Sequence, residues 1–267
     1  MRALLVADLK GNAERLHWLD AQANQFDLVA IAGNFLDVFS SIPLKSQVAH
    51  AKSFLQILRQ KTWVAFCSGN HDTIDEIISS PRGPVPTWIA QLQFEPKLVA
   101  DGQTRIVKTR LLVTTLSFIA TVDQKRRSLE SGATAQEKCE LPWLVLHHIP
   151  LHSDQIMAYD ATISEQLVKD FRPTIWFTGS SQGSTVSRGV KWVEQIDETS
   201  VIHAGNPIER DFLNHIILDL EKGRLSRFTS AEKPPEVAIL RGRRGQKPDS
   251  GWHSALIADP DAIHFAS

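Results

Sequence analysis

Short apolar runs that stop at a glycine or a polar residue recur along the first two thirds of the chain, and they constrain the fold most. The runs cover residues 3–7, 28–32, 63–67, 143–147 and 175–178. Stretches with the apolar spacing of an amphipathic helix, such as residues 45–60, lie between them. Alternation of buried strands with helices is typical of βαβ units, so the sequence predicts an α/β fold with a mainly parallel sheet. After residue 186 the pattern changes to short β-segments, with a hairpin predicted around Lys222 and Gly223.

The composition is that of an ordinary globular protein and argues against several classes of function. Of the 267 residues, 42% are hydrophobic and 22% are charged, and the formal net charge is −1. This balance gives no general attraction to nucleic acid or to an anionic membrane, so we expect neither as a partner. Two cysteines, Cys67 and Cys139, are too few for a disulfide framework, and no apolar run approaches the roughly 20 residues of a membrane span. We therefore expect a cytoplasmic protein.

The last part of the chain differs in composition and is interpreted as a separate element. We predict one domain over residues 1–230 and an extension over residues 231–267, which contains a basic run at 241–247. Blocks of like charge often act as interaction tails, so this run is the predicted contact for a protein partner. Residues 81–86 are rich in proline and glycine and predict an irregular connection, whereas residues 123–140 predict a surface helix or loop.

Polar residues follow five of the predicted strands at the point where each strand ends. These segments are Asp8 to Lys10, Gly33 to Asp37, Gly69 to Asp72, His147 to Pro150, and Gly179 to Gln182. In an open α/β sheet, ligands bind beyond the carboxyl ends of the strands. We therefore expect the five segments to converge on one site.

The order and spacing of these segments resemble the calcineurin-like metallophosphoesterases, in which they read D-x-H, G-D-x-x-D, G-N-H-D/E, H and G-H-x-H. The resemblance covers about residues 1–207, and the complete GNHD at residues 69–72 is its most specific part. It implies an α/β fold of two packed mixed β-sheets flanked by helices. It also implies hydrolysis of phosphomonoesters or phosphodiesters, in which two divalent ions about 3.5–4 Å apart clamp the phosphate and generate the nucleophile.

Several residues of the family's site are retained. The resemblance assigns metal-ligand positions to Asp8, Asn34, Asn70 and His148. It gives His71 the role of the catalytic histidine at the leaving group. Asp37 and Asp72 stand where the family has carboxylates that orient these groups, with Asp72 as the partner of His71. His147 is the alternative to His148, because the sequence does not show which of the two faces the site.

Other positions depart from the family pattern. Lys10 stands where the family has a ligand histidine, Asn34 where it has the bridging aspartate, and Ser180 and Gln182 where it has two more ligand histidines. Asn34 removes a negative charge, and Lys10 adds a positive charge beside Asp8. A unit charge about 4 Å away is worth roughly 4 kcal/mol at an effective dielectric of ~20, and twice that against a dication. We therefore expect no stable two-metal centre, and either no metal cofactor or a weakly bound divalent manganese, iron or zinc ion.

These changes lead to two hypotheses for function. In the first, the protein is catalytically weak or inactive and acts as a binding or scaffold module. Lys10, Ser180 and Gln182 then bind a phosphate-containing ligand, and Lys10 pairs with Asp8 in place of a metal ion. In the second, the protein is an active phosphoesterase with an altered or mononuclear metal site, for which the complete GNHD and the retained Asp37 argue.

Simpler interpretations of the same residues stay open. An aspartate after the first strand is also expected as a helix cap, which would explain Asp8 without a site. Residues 179–183 are also typical of a plain turn. The segment from Asp8 to Asn12 is loosely similar to the D-x-D-G-T loop of haloacid-dehalogenase-like phosphatases, although the second aspartate of that loop is missing.

Overall fold

Two β-sheets pack face to face in the described part of the chain, and helices cover their outer faces. The computed structural model describes residues 1–73, 76–80, 83–151, 158–179, 191–205 and 213–240. The strands are β1 (Arg2–Ala7), β2 (Leu28–Ala32), β3 (Trp63–Cys67), β4 (Ile77–Ser80), β5 (Gly83–Pro86), β6 (Leu98–Val99), β7 (Thr104–Val107), β8 (Leu111–Thr115), β9 (Trp143–His147), β10 (Ile175–Thr178), β11 (Val193–Ile196), β12 (Thr199–His203), β13 (His215–Asp219), β14 (Arg224–Phe228) and β15 (Glu236–Ile239). The helices are α1 (Ala13–Gln22), α2 (Leu44–Lys61), α3 (Thr87–Ala90), α4 (Val122–Cys139) and α5 (Ala158–Phe171).

Both large sheets are mixed. The first has the strand order β15-β14-β13-β1-β2-β3-β6, in which β1, β2, β3 and β6 are parallel and β13 to β15 are antiparallel. The second has the order β11-β12-β10-β9-β8-β7, with a parallel centre of β8, β9, β10 and β12. The carboxyl ends of parallel strands lie at the same edge of a sheet, so the loops that follow β1, β2 and β3 start side by side.

The period of two along each strand decides which side chains face the interior. In β9, Leu144 and Leu146 point between the two sheets, where they join a core that includes Leu5 of β1. Trp143 and Val145 point outward into a separate core under α4 and α5. A third core lies between the first sheet and helices α1 and α2. Because both faces of the central strands are covered, these strands read as continuous apolar runs.

The predicted fold of two packed mixed sheets flanked by helices is confirmed, and the strands predicted at residues 28–32, 63–67, 143–147 and 175–178 have those bounds. The expectation of a mainly parallel arrangement was too simple, because the chain after residue 213 returns as an antiparallel meander. The predicted hairpin around Lys222 and Gly223 is part of that meander and joins β13 to β14.

Two segments form regular secondary structure, although the sequence predicted an irregular connection for the first and left helix or loop open for the second. The segment predicted as an irregular connection contains the ribbon β4–β5, in which Pro84 and Pro86 both lie on β5. An isolated two-stranded ribbon tolerates proline because its outer backbone edge needs no partner strand. Residues 122–139 form helix α4, started by a capping box between Thr121 and Gln124.

The beginning of the predicted extension is paired with the first sheet. Residues 236–239 form the edge strand β15, which lies antiparallel to β14. The boundary at residue 230 stays a prediction, and the basic run at 241–247 lies outside the described residues. No helix of the described part is long and apolar enough to cross a membrane.

Candidate functional site

Three loops at the carboxyl edge of the first sheet form the candidate site. They follow the neighbouring parallel strands β1, β2 and β3. The first two loops are joined by backbone hydrogen bonds, because Asp8 N donates to Gly33 O at 3.1 Å and Lys10 N donates to Asn34 O at 2.8 Å. Asp8, Lys10 and Asn34 all have positive φ values. Such a conformation costs energy for residues other than glycine and is concentrated at functional sites.

A hydrogen bond between the side chains of Asn34 and Asp8 lies at the centre of the site. Asn34 Nδ2 donates to Asp8 Oδ1 at 2.7 Å, and Asn34 Oδ1 accepts from the backbone N of His71 at 3.1 Å. Both side chains are buried. Asp8 does not cap α1, since that role belongs to Asn12, whose Oδ1 accepts from Arg15 N at 3.0 Å. The simple helix-cap interpretation of Asp8 is therefore wrong.

His71 is buried beside this pair in a defined protonation state. Its Nδ1 accepts a hydrogen bond from Val38 N at 3.2 Å, so the ring is neutral and its proton lies on Nε2. Burial, followed by the positive charge of Lys10, lowers the pKa of His71 below its usual value. Asp37 Oδ1 lies 3.7 Å from the same Nδ1, but a neutral ring forms no ion pair with it. His71 is thus available as a hydrogen-bond donor through Nε2.

Asp72 connects two loops and does not orient the His71 ring. One of its carboxylate oxygens accepts from Leu36 N at 2.9 Å and the other from Gly69 N at 2.9 Å. Within the described residues no hydrogen bond joins the Asp72 carboxylate to the imidazole of His71. Burial raises the pKa of Asp72 to about 7 in spite of the two amide donors. Its observed contacts join the loop after β2 to the GNHD segment.

His148, and not His147, faces the site. Its Nδ1 lies 3.0 Å from Ala32 O, and its Nε2 lies 3.2 Å from the side-chain oxygen of Asn70. Because a carbonyl oxygen only accepts, Nδ1 carries a proton and donates it to Ala32 O. The amide oxygen of Asn70 also only accepts, so a neutral ring brings Nε2 close to Asn70 without a hydrogen bond between them. His147 points to the opposite face of the second sheet, where its Nδ1 lies 3.3 Å from Ser164 Oγ.

Glycines leave the space that the site side chains occupy. A Cβ atom on Gly33 would come within 2.2 Å of His148 Nδ1, and one on Gly179 within 2.5 Å of the same atom. A Cβ atom on Gly69 would come within 2.3 Å of Asn34 Oδ1. These three glycines therefore fix the approach of His148 and Asn34 to the first two loops.

Lys10 lies at the rim of the site beside a small cleft. The cleft has a volume of about 50 Å³ and is lined in part by Lys10, Ile42, Gln47 and His50. The expected pairing of Lys10 with Asp8 stays a prediction. Lys10 is partly exposed.

Sequence reasoning missed two residues that hold the site loops in place. Gln47 of α2 accepts from Asp37 N at 2.8 Å and donates to Asp37 O at 3.1 Å and Ile42 O at 2.8 Å. Asp101 is fully buried and accepts from Ser68 N at 2.7 Å, and burial raises its pKa to about 6. Neither residue belongs to a motif, and only their contacts in the folded chain reveal them.

Comparison with known proteins identifies the fold and the family. A profile of the calcineurin-like phosphoesterases matches residues 1–179. The chain belongs to this family. Two solved structures share the fold, namely TT1561 of Thermus thermophilus (14% identity, TM-score 0.56) and a dimetal phosphatase from Danio rerio (9% identity, TM-score 0.55). Each comparison covers 90% of this chain and 99% of the other, and no curated protein sequence matches the chain.

Several of the expected metal-ligand positions of this calcineurin-like site lie in the part of the chain that the structure describes. No group of three or more His, Cys, Asp or Glu residues there has the geometry to hold a metal ion. The amide of Asn34 presents its Nδ2 donor to Asp8, where a bridging carboxylate would present an oxygen. The two other expected positions, Ser180 and Gln182, lie outside the described residues.

Proposed function

We propose that this calcineurin-like chain binds a phosphate-containing ligand without a stable pair of metal ions and has weak or no hydrolytic activity. The observation that carries the proposal is the 2.7 Å hydrogen bond from Asn34 Nδ2 to Asp8 Oδ1. Two carboxylates at this distance would repel each other and would need a cation between them, whereas an amide and a carboxylate satisfy each other directly. The side chain at the position that bridges two ions in the family is thus already paired with Asp8 by a hydrogen bond.

The remaining contacts of Asn34 strengthen this argument. Its Oδ1 accepts from the backbone N of His71, so rotation of the amide to present oxygen to a metal ion would place the NH2 group against an N–H donor. Such a rotation would break two buried hydrogen bonds, and a buried polar group left unpaired costs about 1–3 kcal/mol. The observed orientation of Asn34 therefore opposes metal binding at its own position.

Two groups are suited to an anion. Lys10 supplies a positive charge at the rim of the cleft, and the neutral His71 ring has a proton on Nε2 that it donates. A cation together with a polarised N–H group is a common combination for phosphate. Ser180 and Gln182 remain proposed members of the same anion site.

A second candidate function is hydrolysis with one divalent metal ion of the manganese, iron or zinc type. It is favoured by His148, because the Nδ1 proton directed at Ala32 O leaves Nε2 in the orientation of a metal-binding histidine. Asp8, Asn70 and His148 would hold the ion, which would supply Lewis-acid activation of a phosphoryl oxygen. The Nε2 proton of His71 would then be donated to the leaving oxygen.

Phosphate binding and turnover, measured on the same preparation, test the proposal. We expect inorganic phosphate to bind the wild-type protein and to bind Lys10→Ala at least about tenfold more weakly, because one charge-assisted contact is lost. Lys97→Ala is the matched control, since Lys97 is exposed at the start of β6, at the other end of the strands. Absence of phosphate binding, or equal binding by both variants, would refute the anion site.

Measurement of substrate turnover separates the two candidate functions. With manganese added, the wild-type protein should hydrolyse 4-nitrophenyl phosphate no faster than the His71→Ala variant. Turnover that disappears in His71→Ala would show that the hydrolase is the correct alternative. Protein concentration and residual phosphatase contamination are controlled by comparing the two variants after identical purification.

A further inference from the structure

Large apolar side chains are exposed beside the candidate site in one short segment. In the described residues, eight large hydrophobic side chains are exposed, and three of them, Val38, Phe39 and Ile42, lie between Asp37 and α2. Phe39 is 79% exposed. Singly exposed apolar residues are normal, but a cluster next to a polar site indicates a surface that contacts a ligand.

The two site histidines each lie against a phenylalanine. The ring centroids of Phe39 and His71 are 5.5 Å apart at an interplanar angle of 79°. The ring centroids of Phe118 and His148 are 5.9 Å apart at 65°. Both contacts are edge-to-face, the geometry that aromatic quadrupoles favour. The exposed Phe39 ring therefore extends the site outward from the proton donor His71.

Hydrogen bonds hold the segment that carries Phe39. Phe39 N donates to Asp37 Oδ1 at 3.0 Å, and Ile42 N donates to Ser40 Oγ at 3.1 Å. Gln47 fixes both ends of the segment through Asp37 O and Ile42 O. A ring that is already positioned loses little conformational entropy when a ligand packs on it.

The size of the cleft beside Lys10 limits what enters it. A cavity needs about 10–15 Å³ for each water molecule by this kind of measure, so 50 Å³ holds a few water molecules or one phosphate-sized group. A ring system is too large for this space. Ser40 and Ile42 of the exposed segment line this cleft together with Lys10, so a ligand with its small anionic end in the cleft has its remainder beside the segment that carries Phe39.

We propose that the ligand is an organic phosphate with an aromatic ring, whose phosphate meets Lys10 in the cleft and whose ring stacks on Phe39, the ring neighbour of His71. This inference rests on the proposed anion site and assigns its ligand class and its specificity-determining residue. The apolar segment and the positive charge are complementary to the two ends of such a molecule. Phe39 contributes affinity for the ring and none for the phosphate.

Isothermal titration calorimetry with three probes tests this assignment on the full chain. The probes are inorganic phosphate, glycerol 2-phosphate and 1-naphthyl phosphate. We expect 1-naphthyl phosphate to bind about five- to tenfold more tightly than the other two, which is the usual contribution of one aromatic contact. In Phe39→Ala the preference should disappear while the affinity for inorganic phosphate stays unchanged.

Phe94→Ala is the matched control for the loss of an exposed phenylalanine. Phe94 is 90% exposed and precedes Glu95, which pairs with Arg59 near the end of α2 remote from the site. This variant should keep the preference for 1-naphthyl phosphate. Equal affinity of the wild-type protein for all three probes would overturn the ring contact and leave the anion site intact. If none of the probes binds, both proposals fail, and a loss of inorganic phosphate binding in Phe39→Ala would refute the specificity role.

Discussion

His147 and His148 are consecutive residues at the end of the same strand, and both are buried, but they lie in different surroundings. His148 faces the three site loops, and both of its ring nitrogens lie close to oxygen atoms, Ala32 O and the side-chain oxygen of Asn70. His147 faces the helices, where Nδ1 meets Ser164 and the buried Nε2 has no hydrogen-bond partner among the described residues. Burial, and next the charge of Lys125, lowers the pKa of His147 well below its usual value.

The polar partners of the two rings, and not the residue type or its burial, therefore distinguish a site position from a packing position. His148 is enclosed by loops whose glycines allow a close approach. His147 lies on the helix face and makes an edge-to-face contact with Trp176, with ring centroids 5.8 Å apart. The following predictions test this contrast between the site face and the helix face.

The largest effect is expected where the site face admits no extra atom. Gly33→Ala should destabilise the fold by about 3–5 kcal/mol, because a Cβ atom would lie 2.2 Å from His148 Nδ1 and φ is positive. Gly11→Ala is the matched control: φ is also positive, but the nearest atom lies 3.9 Å away, so only the backbone strain of about 1–2 kcal/mol applies. Urea unfolding measures both losses. Equal losses of stability in the two variants would mean that the space beside His148 Nδ1 can accept an additional Cβ atom.

A third buried histidine, which lies outside the site face and the helix face, shows how burial alone changes the pKa of a histidine. His215 is packed between Trp18 and Phe228, and burial lowers its pKa from 6.5 to about 4. As the pH falls, His215 is therefore protonated in the unfolded chain before it is protonated in the folded chain. The stability that neutral His215 contributes is complete above about pH 6.5 and is lost as the pH falls toward 4. The loss amounts to about 3 kcal/mol at most.

Urea unfolding from pH 7 to pH 4 measures this dependence. His215→Phe keeps a packed ring and removes the titration, so its stability should fall less steeply with acid than that of the wild-type protein. The absolute stability of the variant does not matter for this comparison, because the slope alone is compared. Identical slopes would show that His215 is not the acid-sensitive group.

The smallest effect is expected when each of the two neighbouring histidines is replaced by leucine in turn. His148→Leu should cost about 2 kcal/mol or more, because Ala32 O loses its hydrogen-bond donor in a buried place. His147→Leu should cost less than His148→Leu, because it removes one long contact, 3.3 Å from Nδ1 to Ser164 Oγ, together with an Nε2 atom that has no hydrogen-bond partner in the described part of the chain. Thermal and urea unfolding of the two variants give the comparison. A larger loss in His147→Leu would reverse our assignment of the two faces.

The strand bounds and the order of the site loops were predictable because apolar runs and the GNHD motif are local signals. The choice between His147 and His148 was not predictable, since both faces of β9 are buried and the strand has no alternation of polar and apolar residues. The role of Asp72 was also beyond the sequence. The family resemblance implied a contact with His71, whereas the Asp72 carboxylate accepts from Leu36 N and Gly69 N.

Gln47 illustrates a further limit. Its function depends on the loop from Asp37 to Ile42 folding back onto α2, and a long-range contact of this kind leaves no periodic signal in the sequence. The β4–β5 ribbon was missed for the related reason that prolines were read as breakers. A ribbon that needs no further partner strand accepts them.

We propose that the hydrogen bond from Asn34 to Asp8 takes the place of the bridge between two metal ions. The metal content of the chain, measured by mass spectrometry after incubation with manganese or zinc and removal of free ions, tests it most directly. We predict well below one ion per chain for the wild-type protein and an increase for the double variant Asn34→Asp with Lys10→His, which restores an oxygen ligand and removes a positive charge. Two ions per chain in the wild-type protein would contradict the account.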